Sequence, residues 1–320
     1  MNFKLQLTPR MVRSCTQICE IIGKYEGLSR PIPQPQLRKS NRIKTVQGSV
    51  AIEGNTLSLE QVTDLFSDKR VVGPAKDILE VKNAILAYEN LARYRPFSTE
   101  SFKSAHQLIM KGLLDEAGSW RKGQVGILKR SQVSHIAPPA RQVPSLMNEL
   151  FTTLKREHEL HPILRAAWAH YEIEFVHPFA DGNGRMGRLW QAVHLYQYHP
   201  IFEFVPVESM IQGKQSDYYD ALERSDREGN AWPFVEFCTA MIFEALTEFM
   251  DQIKVEPLTA ERRIEQARAH FMASEFSRLD YLKLFKTVST ATASRDLKQG
   301  VILKILIKVG EKAMTRYRFK

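Results

Sequence analysis

Twelve consecutive residues, HPFADGNGRMGR at 177–188, combine the side chains in this sequence that are best suited to chemistry. A histidine titrates near pH ~6.5 in the absence of neighbours, so His177 can accept a proton at neutral pH. Asp181 offers a carboxylate, the ligand that Mg²⁺ takes beside substrate phosphates. Together with the glycine turn and the two arginines of the same stretch, a base and a metal ligand indicate a site where a hydroxyl attacks a nucleotide phosphate.

The same stretch predicts a phosphate-binding turn. Gly182 and Gly184 flank Asn183, so the backbone can direct several N–H groups toward one point. A helix that begins there adds unpaired amides and a dipole that favours an anion. Arg185 and Arg188 then lie on one helical face, where both can meet phosphate oxygens of the same ligand.

Other interpretations of this region are disfavoured. The pairs His158/His161 and His194/His199 lack the further ligands that a zinc site requires. A Walker loop requires Gly-Lys-Ser/Thr, and no such triplet follows the glycines. Taken singly, His-Pro is most often a helix stop, Gly-Asn-Gly a turn and an arginine pair solvated surface. Their coincidence within twelve residues favours a catalytic site.

Helices are the elements that must position this loop. Pro162 and an apolar face predict one helix before it, which Pro178 ends, and a second helix begins within the loop and runs to Tyr198. Further amphipathic helices are predicted at 9–26, 57–67, 75–94, 98–114, 143–160, 216–229 and 232–255. The three prolines of 28–42 are expected to exclude regular helix there. Glycines and β-branched residues at 118–140 predict a short β-hairpin.

The C-terminal region differs in charge and pattern. The net charge of +9 divides into +7 over residues 1–45, +8 over 276–320 and −6 between them. A boundary is expected at 256–263. Beyond it, two helices and a basic hairpin follow the layout of a winged helix. The fold class predicted is therefore an all-α body with one hairpin, followed by a small C-terminal winged-helix domain.

Composition places the chain among globular proteins. It has 320 residues, of which 43% are hydrophobic and 25% charged, and no apolar run long enough to span a bilayer. The N-terminus lacks the apolar segment of a secretory signal. Cys15, Cys19 and Cys238 are too few and too scattered for a disulfide framework. We therefore expect a cytoplasmic protein with no membrane partner.

The stretch 177–188 resembles the signature of the Fic family, His-Pro-Phe-x-(Asp/Glu)-Gly-Asn-Gly-Arg-x-x-Arg, at every specified position. The resemblance extends over roughly residues 45–245. It implies a Fic-type helical bundle with a β-hairpin flap. It also implies transfer of AMP from ATP to a Ser, Thr or Tyr hydroxyl of a target protein, or of the enzyme itself, with release of pyrophosphate. The related Doc-type members, which phosphorylate instead, depart from this motif near the glycines and arginines.

The resemblance implies a role for each site residue. His177 is the base and Asp181 holds Mg²⁺. The ATP-binding residues are Phe179, Gly182, Asn183, Gly184, Arg185, Arg188, Tyr218 and Tyr219. Core packing explains the two tyrosines as well as adenine contact does. The flap residues that pin a target peptide by strand addition are Gln132, Val133, Ser134, His135 and Ile136.

A second motif, Ser49, Glu53 and Gly54, matches the family's inhibitory pattern Ser/Thr-x-x-x-Glu-(Gly/Asn). The resemblance implies that Glu53 pairs with Arg188 and that ATP then binds in an unproductive pose. In some relatives the same glutamate instead helps to remove AMP from a modified target. A deAMPylase or a bifunctional enzyme therefore stays open.

Three regions are expected: an N-terminal helical region carrying the inhibitory helix (1–95), a Fic catalytic core (96–255) and a winged helix–turn–helix domain (261–320). DNA is one partner open to residues 289–318. The recognition-helix candidates are Ser289, Thr290, Thr292, Ser294 and Arg295, and the wing candidates are Lys308, Lys312, Arg316 and Arg318. The other interpretation is a protein-interaction or dimerisation unit, which would make the chain a homodimer. A nucleotide-sensing DNA-binding regulator and a toxin masked in cis are the remaining alternatives.

Overall fold

The computed structural model describes residues 7–27, 34–129, 132–253, 259–285, 288–311 and 315–320, with the backbone alone at 126–129 and 132–136. The chain divides into two compact units, Met1–Ile253 and Lys254–Lys320. The finer division of the first unit between residues 95 and 96 stays a prediction. Among the residues described, no helix has both the length and the apolar composition of a membrane span.

The first unit is a helical bundle with a single hairpin among its described residues, which confirms the predicted all-α class. Its elements are α1 (Pro9–Gly27), α2 (Pro35–Ile52), α3 (Leu59–Leu65), α4 (Ala75–Glu89), α5 (Thr99–Ile109), β1 (Gly126–Lys129), β2 (Gln132–Ile136), α6 (Val143–Arg156), α7 (Pro162–Val176), α8 (Asn183–Tyr198), α9 (Val207–Gly213), α10 (Gln215–Glu228) and α11 (Trp232–Gln252). Strands β1 and β2 are antiparallel, with a shift in register between Ile127 and Leu128.

Helix α2 contradicts one expectation. The prolines of 28–42 were expected to exclude helix, yet α2 begins at Pro35. Proline is tolerated at the first helical position because its missing N–H would be unpaired there in any helix. Helix α2 consequently delivers Ser49 near its C-terminal end, and Gly54 just beyond it takes a φ of +90°. That left-handed conformation suits the glycine that ends a helix.

Helices α7 and α8 form the centre of the bundle and enclose the candidate loop. Both are buried over most of their circumference, and Trp190 of α8 is fully buried among aromatic rings. The two helices approach closely at Gly187, where an added Cβ would lie 2.5 Å from His170 Cδ2. The two packed helices therefore fix both ends of the loop between them.

Among its described residues, the second unit contains three helices and an antiparallel hairpin. They are α12 (Ala260–Phe271), α13 (Arg278–Leu284), α14 (Thr290–Ile302), β3 (Leu306–Val309) and β4 (Arg316–Phe319). The sequence predicts two helices, and the short α13 is the third. A buried network joins α12 to α14: Arg263 donates to Asp296 at 2.6 and 2.9 Å, and the Tyr281 hydroxyl donates to Asp296 at 3.2 Å.

Candidate active site

The candidate loop spans the six residues between the end of α7 at Val176 and the start of α8 at Asn183. His177 is its first residue and has a left-handed backbone, with φ 48° and ψ 61°. This conformation is uncommon outside glycine and persists only where the surroundings impose it. The His177 N–H donates to the Ile173 carbonyl at 3.0 Å, and Arg121 Nε donates to the His177 carbonyl at 2.7 Å.

Arg121 was not singled out by the sequence, and it anchors the loop. Its side chain is buried, and its guanidinium also donates to the carbonyls of Val176 at 3.3 Å, Gly123 at 2.9 Å and Pro138 at 2.5 Å. Gly123 and Pro138 lie just outside the two ends of the β1–β2 hairpin. One cation therefore ties the backbone of His177 to both ends of the predicted flap.

The His177 ring is oriented for proton acceptance. Its Nδ1 lies 3.4 Å from the Glu174 carbonyl oxygen. A carbonyl oxygen can only accept a hydrogen bond, so this contact requires the hydrogen on Nδ1. In the neutral ring, Nε2 then keeps its lone pair and can take a proton.

Asp181 is the exposed carboxylate of the loop, with 59% of its side chain accessible. Its Oδ1 accepts from the Gly182 N–H at 2.6 Å and from Arg185 Nη2 at 3.3 Å. Within the described parts of the chain no three His, Cys, Asp or Glu residues cluster as metal ligands. A single accessible carboxylate suits Mg²⁺, which completes its shell with phosphate oxygens and water. It does not suit zinc, which takes three or four protein ligands.

Two buried residues hold the middle of the loop. The Asn183 side chain accepts from the Phe179 N–H at 2.8 Å and donates to the Phe179 carbonyl at 2.9 Å. The Phe179 ring is fully buried and stacks on His106, with centroids 3.5 Å apart. Phe179 and Asn183 thus order the loop from inside, and their predicted contact with ATP stays a prediction.

His106 is a second anchor that sequence reasoning missed. Burial lowers its pKa to about 4, so the ring is neutral at pH 7. Its Nδ1 accepts from the Gly118 N–H at 2.8 Å, and its Nε2–H donates to the Asp181 carbonyl at 2.9 Å. No spacing in the sequence marks this role, because His106 reaches the loop from α5.

The two glycines of the turn are required by close contacts. Gly182 has a φ of +83°, and an added Cβ there would lie 2.7 Å from the Met110 sulfur. At Gly184 an added Cβ would collide with the Glu53 carboxylate. The carboxylate of Glu53 therefore lies directly against the N-terminal turn of α8, at the end of a helix that favours an anion.

The two arginines of α8 have different acidic partners. Arg185 is buried and forms an ion pair with the buried Glu80 of α4, a residue that the sequence did not single out. Arg188 is 1% exposed, and its Nη2 donates to Glu53 Oε1 at 2.5 Å and to the Ser49 carbonyl at 2.9 Å. Burial lowers the pKa of Arg188 but the charge of Glu53 raises it, and the net shift is upward.

One donor of Arg188 stands out. Among the described residues its buried Nη1 has no hydrogen-bond partner, and it lies 3.2 Å from where a Cβ on Gly184 would be. A buried cationic N–H without an acceptor is costly, and it indicates a position that a ligand fills. The glycine turn and the unused donor of Arg188 thus face the same space.

The two tyrosines of α10 differ in their surroundings. Tyr218 is buried, and its hydroxyl donates to Glu174 Oε1 at 3.1 Å. Tyr219 is half-buried, and its hydroxyl donates to the Ile52 carbonyl, at the end of α2, at 3.3 Å. Adenine contact by either one stays a prediction. The flap residues 132–136 form β2, and their side chains lie outside the described part of the structure.

The residues predicted to meet DNA lie on α14 and the β3–β4 hairpin. Ser289 accepts from the Thr292 N–H at 3.1 Å and so caps α14. Exposed basic side chains follow at Arg295, Lys308, Arg316 and Arg318, whereas Lys312 lies outside the described residues.

Comparison with known proteins identifies relatives of both parts of the chain. The sequence profile of the Fic/DOC family matches residues 96–195. The crystal structure of a Fic family protein from Desulfovibrio desulfuricans G20 is 37% identical, with a TM-score of 0.75 over 99% of this chain and 97% of that one. A Fic domain containing signaling protein from Bacteroides thetaiotaomicron has a TM-score of 0.64 over 76% of this chain and 100% of its own, at 21% identity. This last likeness concerns the fold alone.

Curated relatives carry the name "Protein adenylyltransferase Fic". The protein from Nematostella vectensis is 28% identical over 253 residues, which are 75% of this chain and 56% of that protein. The protein from Drosophila melanogaster is 30% identical over 268 residues, which are 76% of this chain and 51% of that protein. The chain thus spans about half the length of these curated relatives.

Proposed function

The chain belongs to the Fic family, and we propose that it is an autoinhibited protein adenylyltransferase. Its substrates are ATP and a Ser, Thr or Tyr hydroxyl of a target protein or of the enzyme itself. The observation that carries the proposal is the combination of His177 with an anion-binding turn and the buried Arg188 Nη1, which has no partner among the described residues. The name of the curated relatives supports the same activity.

In the proposed reaction, the residues of the loop act together on the target hydroxyl and on ATP. His177 Nε2 takes the proton of the target hydroxyl while the hydroxyl oxygen attacks the α-phosphorus of ATP. The bond from that phosphorus to the bridging oxygen breaks, and pyrophosphate leaves. The amides at Gly182 and Gly184 and the arginines 185 and 188 stabilise the phosphate charge. A Mg²⁺ held by Asp181 would neutralise part of that charge.

The proposed inhibition acts through the ion pair of Glu53 with Arg188 and through steric exclusion of a phosphate beside Gly184. Glu53 occupies the Nη2 of Arg188 and the volume beside Gly184, where a phosphate of ATP would otherwise be accepted. An ATP molecule can then bind only in a pose that leaves its α-phosphorus unsuited to attack. Removal of AMP from a modified target by the same Glu53 is the alternative chemistry at this site.

Mass spectrometry of a cell lysate tests the activity. Lysate incubated with ATP, Mg²⁺ and the Glu53→Gly variant should contain proteins that carry AMP on a hydroxyl side chain. The matched control is Glu53→Gly/His177→Ala, which should bind ATP with similar affinity and modify nothing. AMP transfer that survives His177→Ala would rule out His177 as the base. A complete lack of transfer by both, with ATP still bound, would favour the nucleotide-sensing regulator.

A DNA-binding function of the second unit is a second proposal. The order of its helices and hairpin, and the exposed Arg295, Lys308, Arg316 and Arg318, support a winged helix that meets phosphate. A mobility-shift assay of the full chain with mixed duplex DNA tests it. Binding should weaken steeply as salt rises, because phosphate contacts release counterions. A shift that is absent or insensitive to salt would favour the protein-interaction role, including a homodimer.

A further inference from the structure

A chain of polar contacts runs from Arg188 away from the loop and ends on α9. Arg188 Nε lies 3.4 Å from the Ser49 hydroxyl, which lies 3.3 Å from the Tyr88 hydroxyl. The Tyr88 hydroxyl lies 3.1 Å from Oε1 of Glu208. The four residues come from four different helices, α8, α2, α4 and α9. None of these contacts is used by the proposed reaction.

The direction of each hydrogen bond follows from its ends. A guanidinium can only donate, so Ser49 Oγ accepts from Arg188, and it also accepts from the Tyr88 hydroxyl. Burial raises the pKa of Tyr88 well above its ordinary value, so its hydroxyl keeps its hydrogen and donates to Glu208. The Tyr88 hydroxyl therefore shares its hydrogen between Ser49 Oγ and Glu208 Oε1, and it links the cation at one end to the carboxyl at the other.

These polar contacts lie where α2 packs closely on the backbone of α9. Gly48, adjacent to Ser49, packs on the backbone of α9: an added Cβ would lie 2.7 Å from the Ser209 nitrogen and 2.8 Å from the Glu208 carbonyl oxygen. Ser49, Arg188 and Glu208 are each less than 5% exposed. Helix α2 is thus held on α9 by backbone contact and by this chain at adjacent residues.

We propose that Tyr88 and Glu208 are positioning residues of the inhibitory contact, which hold Ser49 and Arg188 so that Arg188 stays directed at Glu53. This inference rests on the proposed autoinhibition and adds a second, buried part to it. Glu53 accepts from Nη2 of Arg188, and these polar contacts hold the neighbouring Nε on the same edge of the guanidinium through Ser49. Without these polar contacts, α2 and Arg188 separate more often, and ATP can then bind in the productive pose.

A comparison of Tyr88→Phe in two backgrounds tests the proposal. The substitution removes one hydroxyl and keeps the ring. In the protein with Glu53 intact, Tyr88→Phe should raise the rate of AMP transfer roughly fivefold. The reason is that one buried hydrogen bond shifts an equilibrium by about that factor. In the Glu53→Gly background it should produce no increase, because the contact it supports is gone. An equal change in both backgrounds, or none in the first, would overturn the proposal.

The control and the conservative variant separate positioning from general damage. Tyr94→Phe removes a buried hydroxyl that has no partner among the described residues, and it should leave inhibition unchanged. Glu208→Gln keeps an acceptor for Tyr88 and should stay inhibited, whereas Glu208→Leu should be activated as Tyr88→Phe is. If Glu208→Gln and Glu208→Leu behave alike, the hydrogen bond to Glu208 is not what positions Arg188.

Equilibrium unfolding keeps the test independent of the proposed function. If Glu53→Gly transfers no more AMP than the original chain, the proposed inhibition is wrong. The free energies of unfolding of Tyr88→Phe, Glu53→Gly and the double variant then show whether Tyr88 supports the contact of Arg188 with Glu53. Coupled residues give non-additive effects, and additivity would show that Tyr88 does not support the contact of Arg188 with Glu53.

Discussion

At the scale of single residues, burial decides which groups carry charge. His194 of α8 is 4% exposed, and burial, followed by the charge of Arg165, lowers its pKa to about 3. An unfolded histidine titrates near ~6.5. The neutral ring therefore adds stability that is fully present above pH ~6.5 and is lost as the pH falls toward the folded pKa.

We predict that His194→Gln flattens the acid side of the stability profile. Between pH 7 and pH 5, His194 should account for a loss of about 2 kcal/mol in the free energy of unfolding, which the variant should not show. Urea denaturation at both pH values measures it. His158→Gln is the control, because His158 is exposed. A pH dependence of His194→Gln equal to that of the original chain would contradict the assignment.

The site residues of 177–188 were predictable because they are adjacent in sequence and because their side chains are of types that act as bases, metal ligands and phosphate ligands. Arg121, His106 and Glu80 were not, because each reaches the loop from a distant element. In the sequence, nothing distinguishes Arg121, which binds four carbonyls, from an arginine exposed to solvent. Their roles depend on the packing of helices, which local spacing does not encode.

At the scale of elements, the contact of α2 with α9 positions Ser49 and Glu53, the residues of the proposed inhibition. Most helices were predictable from apolar periodicity, and Ser98 caps α5 by accepting from the Ser101 N–H. The start of α2 at Pro35 was not predicted, because its proline is read as a breaker when the helix boundary is unknown. The short helix α9 was not predicted either.

Gly48→Ala should displace α2 from α9. The added Cβ meets backbone atoms that cannot rotate away, so we expect a loss of about 1–3 kcal/mol in stability together with increased AMP transfer. Gly23→Ala is the matched control: it is also helical, has nothing within 4 Å of its Cβ, and should stabilise by about 0.5–1 kcal/mol. Thermal unfolding and transfer rates of both variants measure this. Equal stability of the two would mean that the close contact at Gly48 is not essential.

At the scale of the whole molecule, the candidate site and the proposed inhibitory contact of Glu53 with Arg188 lie in one unit. The loop, α2, α4 and α9 all lie within Met1–Ile253, and the second unit has its own buried cluster around Phe276 and Tyr281. The change in charge near 256 was visible in the sequence. The activity of the second unit was not, because a basic helix and hairpin serve DNA and protein partners alike.

A chain that ends at Ile253 should therefore keep both the transfer of AMP and its inhibition. We expect the ratio of rates between Glu53→Gly and the unchanged residue to be the same in the shortened and the full chain. Circular dichroism establishes that the shortened chain is folded. A folded but fully active shortened chain with Glu53 intact would show that residues 254–320 are needed for inhibition.

The rate of AMP transfer with and without Glu53 tests the central claim most directly. ATP labelled at its α-phosphate is incubated with the original chain and with Glu53→Gly, and the label on protein is followed. A charge-assisted hydrogen bond contributes about 1.5–3 kcal/mol, and about 1.4 kcal/mol is tenfold. The ion pair of Glu53 with Arg188 therefore predicts at least a ~10-fold increase in rate for Glu53→Gly. Label transfer at the same rate by both chains would contradict autoinhibition through this contact.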